Sequence, residues 1–272
     1  MSKQTDINAK MRAILIDWLV EVHLKFKLMP ETLYLTVNLI DRYLEKEQIM
    51  RNKLQLVGVT AMFIASKYEE IYAPECRDFV YISDKAYTRD EILRMEGQML
   101  AKLNFELTTP NAFVFVKRFA KVAGIATTPR STTELLANYL VELTLQDYKM
   151  LKYLPSTICA SAIYLALKTK GRTPWVRAAP RSRLTALESP VPRPSSPCLC
   201  ARAERLCARW AWQTPELEKH STYKEADLQA CVRDIHELHK NASTHSLQAV
   251  RKKYAQEKHG NVSSIAPAHL GC

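Results

Sequence analysis

The sequence predicts an all-α protein, and three observations carry that prediction. Glycine is scarce, with 6 in 272 residues, and strand-like alternation of apolar and polar residues is rare. Apolar residues recur at helical spacing almost without a break over residues 6–167. The stretch 11–19 is apolar nearly all the way round, which is typical of a helix that crosses a core. It nevertheless contains Arg12 and Asp17, and buried charges of this kind need partners.

The first half of the chain is predicted to form five helices, near residues 6–28, 30–47, 51–71, 74–82 and 88–103. Pro30 suits the first turn of the second helix, where a backbone N–H is not required, and Pro74 breaks the chain after the third helix. Thr88 is the expected N-cap of the fifth helix, with Glu91 as its capping-box partner three residues later. Pro110 marks the next boundary, because a residue that precedes proline avoids the helical conformation.

The second half begins again with helices, predicted at residues 111–122, 131–147, 155–168, 224–241 and 246–258. Five helices followed by five helices indicate an internal duplication of structure, although no repeat is visible in the letters. We therefore divide the chain into a first domain, residues 1–108, a second domain, residues 109–258, and a tail, residues 259–272.

Residues 176–213 do not fit the helical pattern of the second domain. They contain five of the thirteen prolines, three of the seven cysteines and two of the four tryptophans, but no Lys, Asp, Gly, Ile, Phe or Tyr. We interpret this segment as an insertion, from a translated intron or an equivalent splicing event, and expect it to be disordered. Limited proteolysis should therefore cut within it first.

The net charge of +11 suggests a nucleic-acid-binding protein. Seven Arg and two Glu in residues 176–213 account for +5 of this excess, however, and the rest is spread over long helices. No aromatic stacking motif or compact basic recognition helix accompanies the charge. We therefore expect no nucleic-acid partner.

Other function classes are disfavoured by missing motifs. Seven irregularly spaced cysteines without a secretory signal predict a reducing compartment, and no apolar run reaches the roughly 18 residues of a membrane span. There is no glycine-rich phosphate loop and no nucleophile motif, so we expect no enzymatic activity and no cofactor. Cys198 and Cys200 lack the further ligands that a metal site needs.

The stretch 11–19 reads Met-Arg-Ala-Ile-Leu-Ile-Asp-Trp-Leu and closely resembles the opening helix of the cyclin box. Further matches follow in order, around Asp41 in residues 38–44, Lys67 in 61–70 and Glu96 in 92–96. The second half is matched more weakly, mainly at 153–156 (Tyr-Leu-Pro-Ser) and 162–166 (Ala-Ile-Tyr-Leu-Ala). Over residues 6–175 and 214 to about 258, the chain resembles a B-type, or G2/mitotic, cyclin.

The resemblance implies two tandem five-helix cyclin boxes, the second interrupted by the insertion. It also implies a non-enzymatic subunit that allosterically activates a mitotic cyclin-dependent protein kinase, in the nucleus and cytoplasm. Lys67 and Glu96 match the residues with which cyclins hold backbone groups of the kinase's regulatory helix; read alone, each would be a solvated helix residue. Four apolar residues should add contacts to the kinase, with plain core as the alternative: Ile64, Leu100, Phe105 and Leu107.

Arg12 and Asp41 match a buried ion pair of the family. We expect them to pair and to orient Lys67 and Glu96 from behind. A purely structural salt bridge is the alternative, and stability alone would not separate the two roles.

A third group of residues resembles the cyclin patch that receives Arg-x-Leu motifs of substrates and inhibitors. Four of its members fall on one face of the first helix, at i, i+3, i+4 and i+7. In the family the motif's leucine fills the patch and its arginine meets a carboxylate, here Glu21. Without the resemblance, apolar residues at this spacing would be interpreted as the face of the helix that packs in the core. The full predicted patch comprises Met11, Ile14, Leu15, Trp18, Glu21, Leu54 and Gln55.

Two other interpretations stay open at this stage. General transcription factors of the IIB type share the paired fold, although they need a basic face and usually a zinc ribbon that this sequence lacks. A non-functional splice or gene-model variant of a cyclin is the other. B-type cyclins also carry a long N-terminal arm with a destruction motif, and only about ten residues precede Met11 here, so we expect a truncated arm.

Overall fold

The computed structural model describes residues 3–125, 131–171 and 214–268, and within these ranges the chain forms eleven α-helices and no strand. The all-α prediction is therefore confirmed. The first half contains α1 (Ala9–Phe26), α2 (Pro30–Lys46), α3 (Leu54–Glu69), α4 (Cys76–Ile82) and α5 (Arg89–Lys102). The second contains α6 (Ala112–Val122), α7 (Thr132–Gln146), α8 (Pro155–Thr169), α9 (Thr214–Ser221), α10 (Glu225–Asn241) and α11 (Ala249–Tyr254). The predicted insertion, 176–213, lies outside the described residues.

The structure departs from the predicted elements at two places. The second half has a helix that we did not predict, α9, whose Leu217 is buried against the core. The helix predicted over 246–258 shrinks to α11, followed by 3-10 turns at Glu257–His259 and Val262–Ser264. Both segments are short, and so few turns carry too little periodicity to fix their bounds from sequence.

The two helix starts predicted from Pro30 and Thr88 are present. Pro30 occupies the first turn of α2. Thr88 caps α5: the Glu91 backbone N–H donates to Thr88 Oγ1 at 3.3 Å, and the Thr88 backbone N–H donates to Glu91 Oε2 at 3.0 Å. This reciprocal box satisfies two backbone donors that a helix start leaves open.

The core of the first domain is built around α3, which is buried from Leu56 to Ser66. At Gly58, an added Cβ would lie 2.7 Å from Leu15 Cδ1, so glycine is what lets α1 approach α3 this closely. The second domain is built in the same way around α8, which is buried from Cys159 to Leu167.

Helix α1 joins the two domains through the two charges noted in its sequence. Arg12, 1% exposed, donates through Nε and Nη2 to the two Asp41 carboxylate oxygens at 2.5 and 2.7 Å, and through Nη1 to the Leu145 carbonyl of α7 at 3.0 Å. Asp17 Oδ1 accepts from Gln146 Nε2 at 2.6 Å and from the Ala249 backbone N–H at 2.9 Å. Both charges therefore hold the second domain against the first.

Two buried histidines make the fold sensitive to acid. The pKa of His23 and of His239 is lowered from 6.5 to about 4, mainly by desolvation and, in His23, with a second contribution from the nearby Lys253. Because the unfolded chain takes up these protons first, stability is complete above pH 6.5 and is lost as the pH falls toward 4, by up to about 1.4 kcal/mol per pH unit for each histidine. Urea unfolding at several pH values measures this slope, and His23→Gln should remove one histidine's share. An unchanged slope in that variant would contradict the assignment.

Candidate kinase-binding surface

Lys67 and Glu96 lie together at the surface, as the resemblance requires of residues that act at one interface. Lys67 lies in the last turn of α3 and its side chain is 46% exposed, whereas the Glu96 side chain, on α5, is only 12% exposed. Lys67 Nζ and Glu96 Oε1 form an ion pair. Lys67 Nζ also lies 4.2 Å from the centre of the Phe63 ring. Because the ammonium has three N–H donors and the carboxylate a second oxygen, both groups keep hydrogen-bonding capacity for an incoming backbone.

Phe105 presents a ring to solvent just beyond α5. It is 70% exposed. Asn104 and Phe105 both adopt left-handed backbone conformations, with φ of 54° and 56°, and the Phe105 N–H donates to the Leu100 carbonyl at 2.9 Å. A bulky residue in this region is strained by about 1–2 kcal/mol. The chain therefore holds an apolar ring outward at a cost in backbone energy, which is typical of a functional site.

The other predicted apolar contacts differ in exposure. Leu100 and Leu107 are half-buried, and both pack against the core. Ile64 is buried and belongs to the core of the free chain. Of the four apolar residues, Phe105 is thus the one that the folded chain fully presents.

Sequence reasoning missed three exposed apolar residues that extend this surface. Ile71 and Tyr72 are almost fully exposed and follow α3 directly, and Tyr68 is nearly half exposed. The Tyr68 hydroxyl lies 2.5 Å from Thr108 Oγ1, which links the end of α3 to the segment after Phe105. Their signal in the sequence was the return of large apolar residues around Glu69-Glu70, at Tyr68 before the two glutamates and at Ile71-Tyr72 after them.

The pair of Arg12 and Asp41 forms as predicted, but not against Lys67 and Glu96. Within the described residues, neither side chain hydrogen-bonds to Lys67 or Glu96. The third hydrogen bond of Arg12 goes instead to the Leu145 carbonyl oxygen, in the second domain. The structure thus places the pair at the domain junction, and its effect on Lys67 and Glu96 stays a prediction.

The predicted docking patch divides into a buried floor and an accessible surface. Leu15 and Leu54 are buried, so they form the floor rather than the contact surface. Ile14 is 50% exposed, and Glu21 is also exposed. The remaining members are half-buried: Met11, Trp18 and Gln55. The patch therefore offers an apolar surface with a carboxylate at its rim.

None of the helices in the described parts of the chain is long and apolar enough to span a membrane. No group of three or more His, Cys, Asp or Glu side chains in these ranges could hold a metal ion.

Comparison with protein families assigns both halves of the chain. The family model "Cyclin, N-terminal domain" matches residues 1–108, and "Cyclin, C-terminal domain" matches residues 110–181 and 195–268. The stretch left unmatched between the last two ranges, 182–194, falls inside the predicted insertion. A solved viral cyclin from herpesvirus saimiri has the same fold, with a TM-score of 0.65 at 19% identity over 87% of each chain.

Several relatives are similar over nearly the whole chain. Cyclin-A2-1 of Oryza sativa subsp. japonica is 43% identical over 98% of this chain and 48% of its own length. G2/mitotic-specific cyclin-A of Hydra viridissima is 42% identical over 100% of this chain and 56% of its own length. Cyclin-B2-1 of Arabidopsis thaliana is 41% identical over 99% of this chain and 53% of its own length. The chain spans about half the length of these curated relatives. Since A- and B-type cyclins match it about equally and both family models are cyclin domains, this chain belongs to the cyclin family.

Proposed function

We propose that this chain is a non-enzymatic regulatory subunit that binds and allosterically activates a cyclin-dependent protein kinase at the G2/M transition and in mitosis. The observation that carries the proposal is the Lys67–Glu96 pair set among the exposed apolar side chains of Phe105, Ile71 and Tyr72. Aromatic anchors and charged groups that become desolvated on binding carry much of the energy at protein interfaces. The resemblance also supports action in both nucleus and cytoplasm.

The chemistry of the pair suits the end of a helix. The Lys67 ammonium can donate to open carbonyl groups, and the Glu96 carboxylate can accept from open amides, both as charge-assisted hydrogen bonds. The apolar residues around the pair would exclude water from these bonds and strengthen them. A partner helix gripped in this way is held in one position, and the kinase's equilibrium then shifts toward its active arrangement.

Co-purification with a mitotic cyclin-dependent kinase, followed by histone phosphorylation, tests this function. We expect the chain to form a stoichiometric complex and to raise kinase activity. Binding that appears only after residues 176–213 are deleted would mean that the family is right but this form of the chain does not function. No binding by either form would refute the proposal.

Phe105 provides a separate test of the kinase surface. Phe105→Gly and Phe105→Ala should both weaken kinase binding roughly 30-fold, because each removes an exposed aromatic anchor. Glycine adopts the left-handed backbone conformation without steric strain, whereas alanine does not. The free energy of unfolding should therefore be about 1 kcal/mol higher for the glycine variant than for the alanine variant. Equilibrium unfolding and kinase affinity measured in parallel check both expectations. Kinase binding at the unsubstituted level in both variants would remove Phe105 from the interface.

We propose further that the patch on α1 docks substrates and inhibitors with Arg-x-Leu motifs. Its half-exposed Ile14 and half-buried Trp18 would receive the leucine, and the exposed Glu21 would pair with the arginine. This surface is formed by α1 and the start of α3, whereas the Lys67–Glu96 surface is formed by the end of α3 and α5.

Ile14→Asp should abolish peptide docking and leave kinase activation intact. A charge in the patch repels the leucine of the motif without entering the core, since Ile14 is half exposed. Fluorescence polarisation with a labelled Arg-x-Leu peptide measures docking, and phosphorylation of a motif-free peptide measures activation. Val114→Asp, which changes an equally exposed apolar residue on α6, is the matched control. Equal loss of docking in both variants would contradict the patch.

A further inference from the structure

Phe105, the ring that the proposed kinase-binding surface presents most fully, lies in a segment of unfavourable backbone conformation. We call residues 103–108, which follow α5, the Phe105 turn. Asn104 and Phe105 adopt left-handed conformations in succession, with φ of 54° and 56°. Residues with a Cβ disfavour this conformation, and because Phe105 is 70% exposed, burial of its ring does not compensate. The turn therefore needs support from other contacts.

Hydrogen bonds inside the turn do not supply that support by themselves. The Phe105 N–H donates to the Leu100 carbonyl at 2.9 Å, and the Glu106 N–H donates to the Leu103 carbonyl at 3.1 Å. Both bonds are local, and Phe105 and Glu106 are exposed, so water can replace each bond at little net cost. A turn held by these bonds alone would open readily.

Arg42, on α2, provides a contact from outside the turn. Its Nη1 donates to the Glu106 backbone carbonyl at 2.7 Å, directly after Phe105. The Arg42 side chain is only 24% exposed, so this charge-assisted hydrogen bond is largely shielded from water. Asp41, the preceding residue, pairs with Arg12 instead, since neighbouring positions of a helix lie about 100° apart. Two adjacent residues of α2 thus hold two different elements.

The part of Glu106 that Arg42 holds is the backbone carbonyl rather than the carboxylate. Arg42 Nη2 lies 3.8 Å from Glu106 Oε2, and the Glu106 side chain is 73% exposed. Exposed ion pairs of this kind contribute little. The hydrogen bond to the carbonyl, in contrast, fixes the peptide group between Glu106 and Leu107, and so restricts the backbone next to Phe105.

Tyr68 ties the end of the turn to α3. Its hydroxyl lies 2.5 Å from Thr108 Oγ1, and it directly follows Lys67 in the last turn of that helix. The turn is thus tied to α2 just after Phe105 and to α3 beside Lys67. These two ties set the position of the Phe105 ring relative to the Lys67–Glu96 pair.

We propose that Arg42 is a positioning residue of the kinase-binding surface: it holds the Glu106 carbonyl and so keeps the Phe105 ring presented before a kinase arrives. This inference rests on the proposed function, and in it Arg42 acts through Phe105 rather than by touching the kinase. A surface that is already arranged loses less conformational entropy on binding. Where the binding-competent form is only partly populated, the apparent affinity falls in proportion to its population.

Amide hydrogen exchange on the full chain, measured without a kinase, tests whether Arg42 holds the turn. Arg42→Ala should make the Phe105 amide proton exchange about fivefold faster, because the turn opens more often. Glu106→Ala is the matched control, since it removes the carboxylate but retains the carbonyl, and it should change this rate by less than about twofold. An unchanged rate in Arg42→Ala, or equal acceleration in both variants, would overturn the proposal.

A double-mutant cycle on kinase affinity tests whether Arg42 acts through Phe105. Alone, Arg42→Ala should weaken kinase binding about fivefold. Arg42→Lys keeps one charged donor without the planar fork and should recover part of this loss. When Phe105→Ala is already present, Arg42→Ala should cost less than about twofold, because no ring remains to be positioned. A fivefold loss in both backgrounds would show that Arg42 acts independently of Phe105 and would refute the positioning role.

The two measurements separate this inference from the proposed function. If no form of the chain binds a kinase, the proposed function fails, whereas hydrogen exchange still decides whether Arg42 holds the turn. If Phe105→Ala weakens kinase binding and Arg42→Ala does not, the proposed function stands and the positioning role is wrong. Kinase binding that is insensitive to both substitutions would also overturn that role.

Discussion

Replacing Arg12 with alanine should lower the free energy of unfolding by about 3–5 kcal/mol, the usual effect of breaking a buried ion pair from one side. The substitution leaves Asp41 without its bidentate partner and the Leu145 carbonyl without a donor. Whole domains are stable by only about 5–15 kcal/mol. Because Arg12 joins α1 to both α2 and α7, we also expect the two domains to unfold less cooperatively in this variant.

Urea unfolding, monitored by circular dichroism, measures this effect, and two further variants serve as comparisons. Arg42→Ala removes a neighbouring, more exposed pair with Glu106, which should cost about 1 kcal/mol or less. Arg12→Met combined with Asp41→Leu removes both charges and should restore most of the loss. An Arg12→Ala variant as stable as Arg42→Ala would show that the buried pair does not hold the junction. Kinase affinity of the folded fraction then tests whether the pair positions Lys67 and Glu96.

Replacing Lys67 with alanine should weaken kinase binding by about 2–3 kcal/mol, or roughly 30- to 150-fold, and remove activation at ordinary concentrations. The ammonium is half exposed and packs on the Phe63 ring, so its loss should leave the fold intact. Lys121→Ala is the matched control, since Lys121 is an exposed lysine of α6 that forms no ion pair in the described parts of the chain. Kinase affinity and histone phosphorylation are the two readouts.

A charge exchange separates a binding role from a structural one. Lys67→Glu combined with Glu96→Lys can rebuild the ion pair within the chain, so a merely structural pair would be rescued. If the two groups instead meet different backbone atoms of the kinase, the exchange leaves each facing the wrong partner. We therefore expect the exchanged variant to fold normally and still fail to activate. Recovery of kinase activation in that variant would contradict the proposed interface.

Much of the fold was accessible from local sequence because helix signals are local. Pro30 and the Thr88–Glu91 box set helix starts that the structure reproduces. The apolar spacing placed the long helices, whereas it missed α9 and gave α11 bounds that are too wide. The motifs around Arg12, Asp41, Lys67 and Glu96 identified the family before any geometry was known, and the structure brings each pair into contact.

Local sequence was enough to predict the helical class, the long helices and the family, because each depends on residues close together in the chain, and the return of helices in the second half indicated the paired organisation. The burial of Leu15 and Leu54 beneath the docking patch, and the contact of Arg12 with Leu145, became clear from the folded structure alone. The folded structure also placed His23 beside Lys253 and Glu142. Burial and hydrogen-bond partners depend on neighbours that lie far away in the chain, and helical periodicity shows which face of a helix is apolar but not which element will cover it.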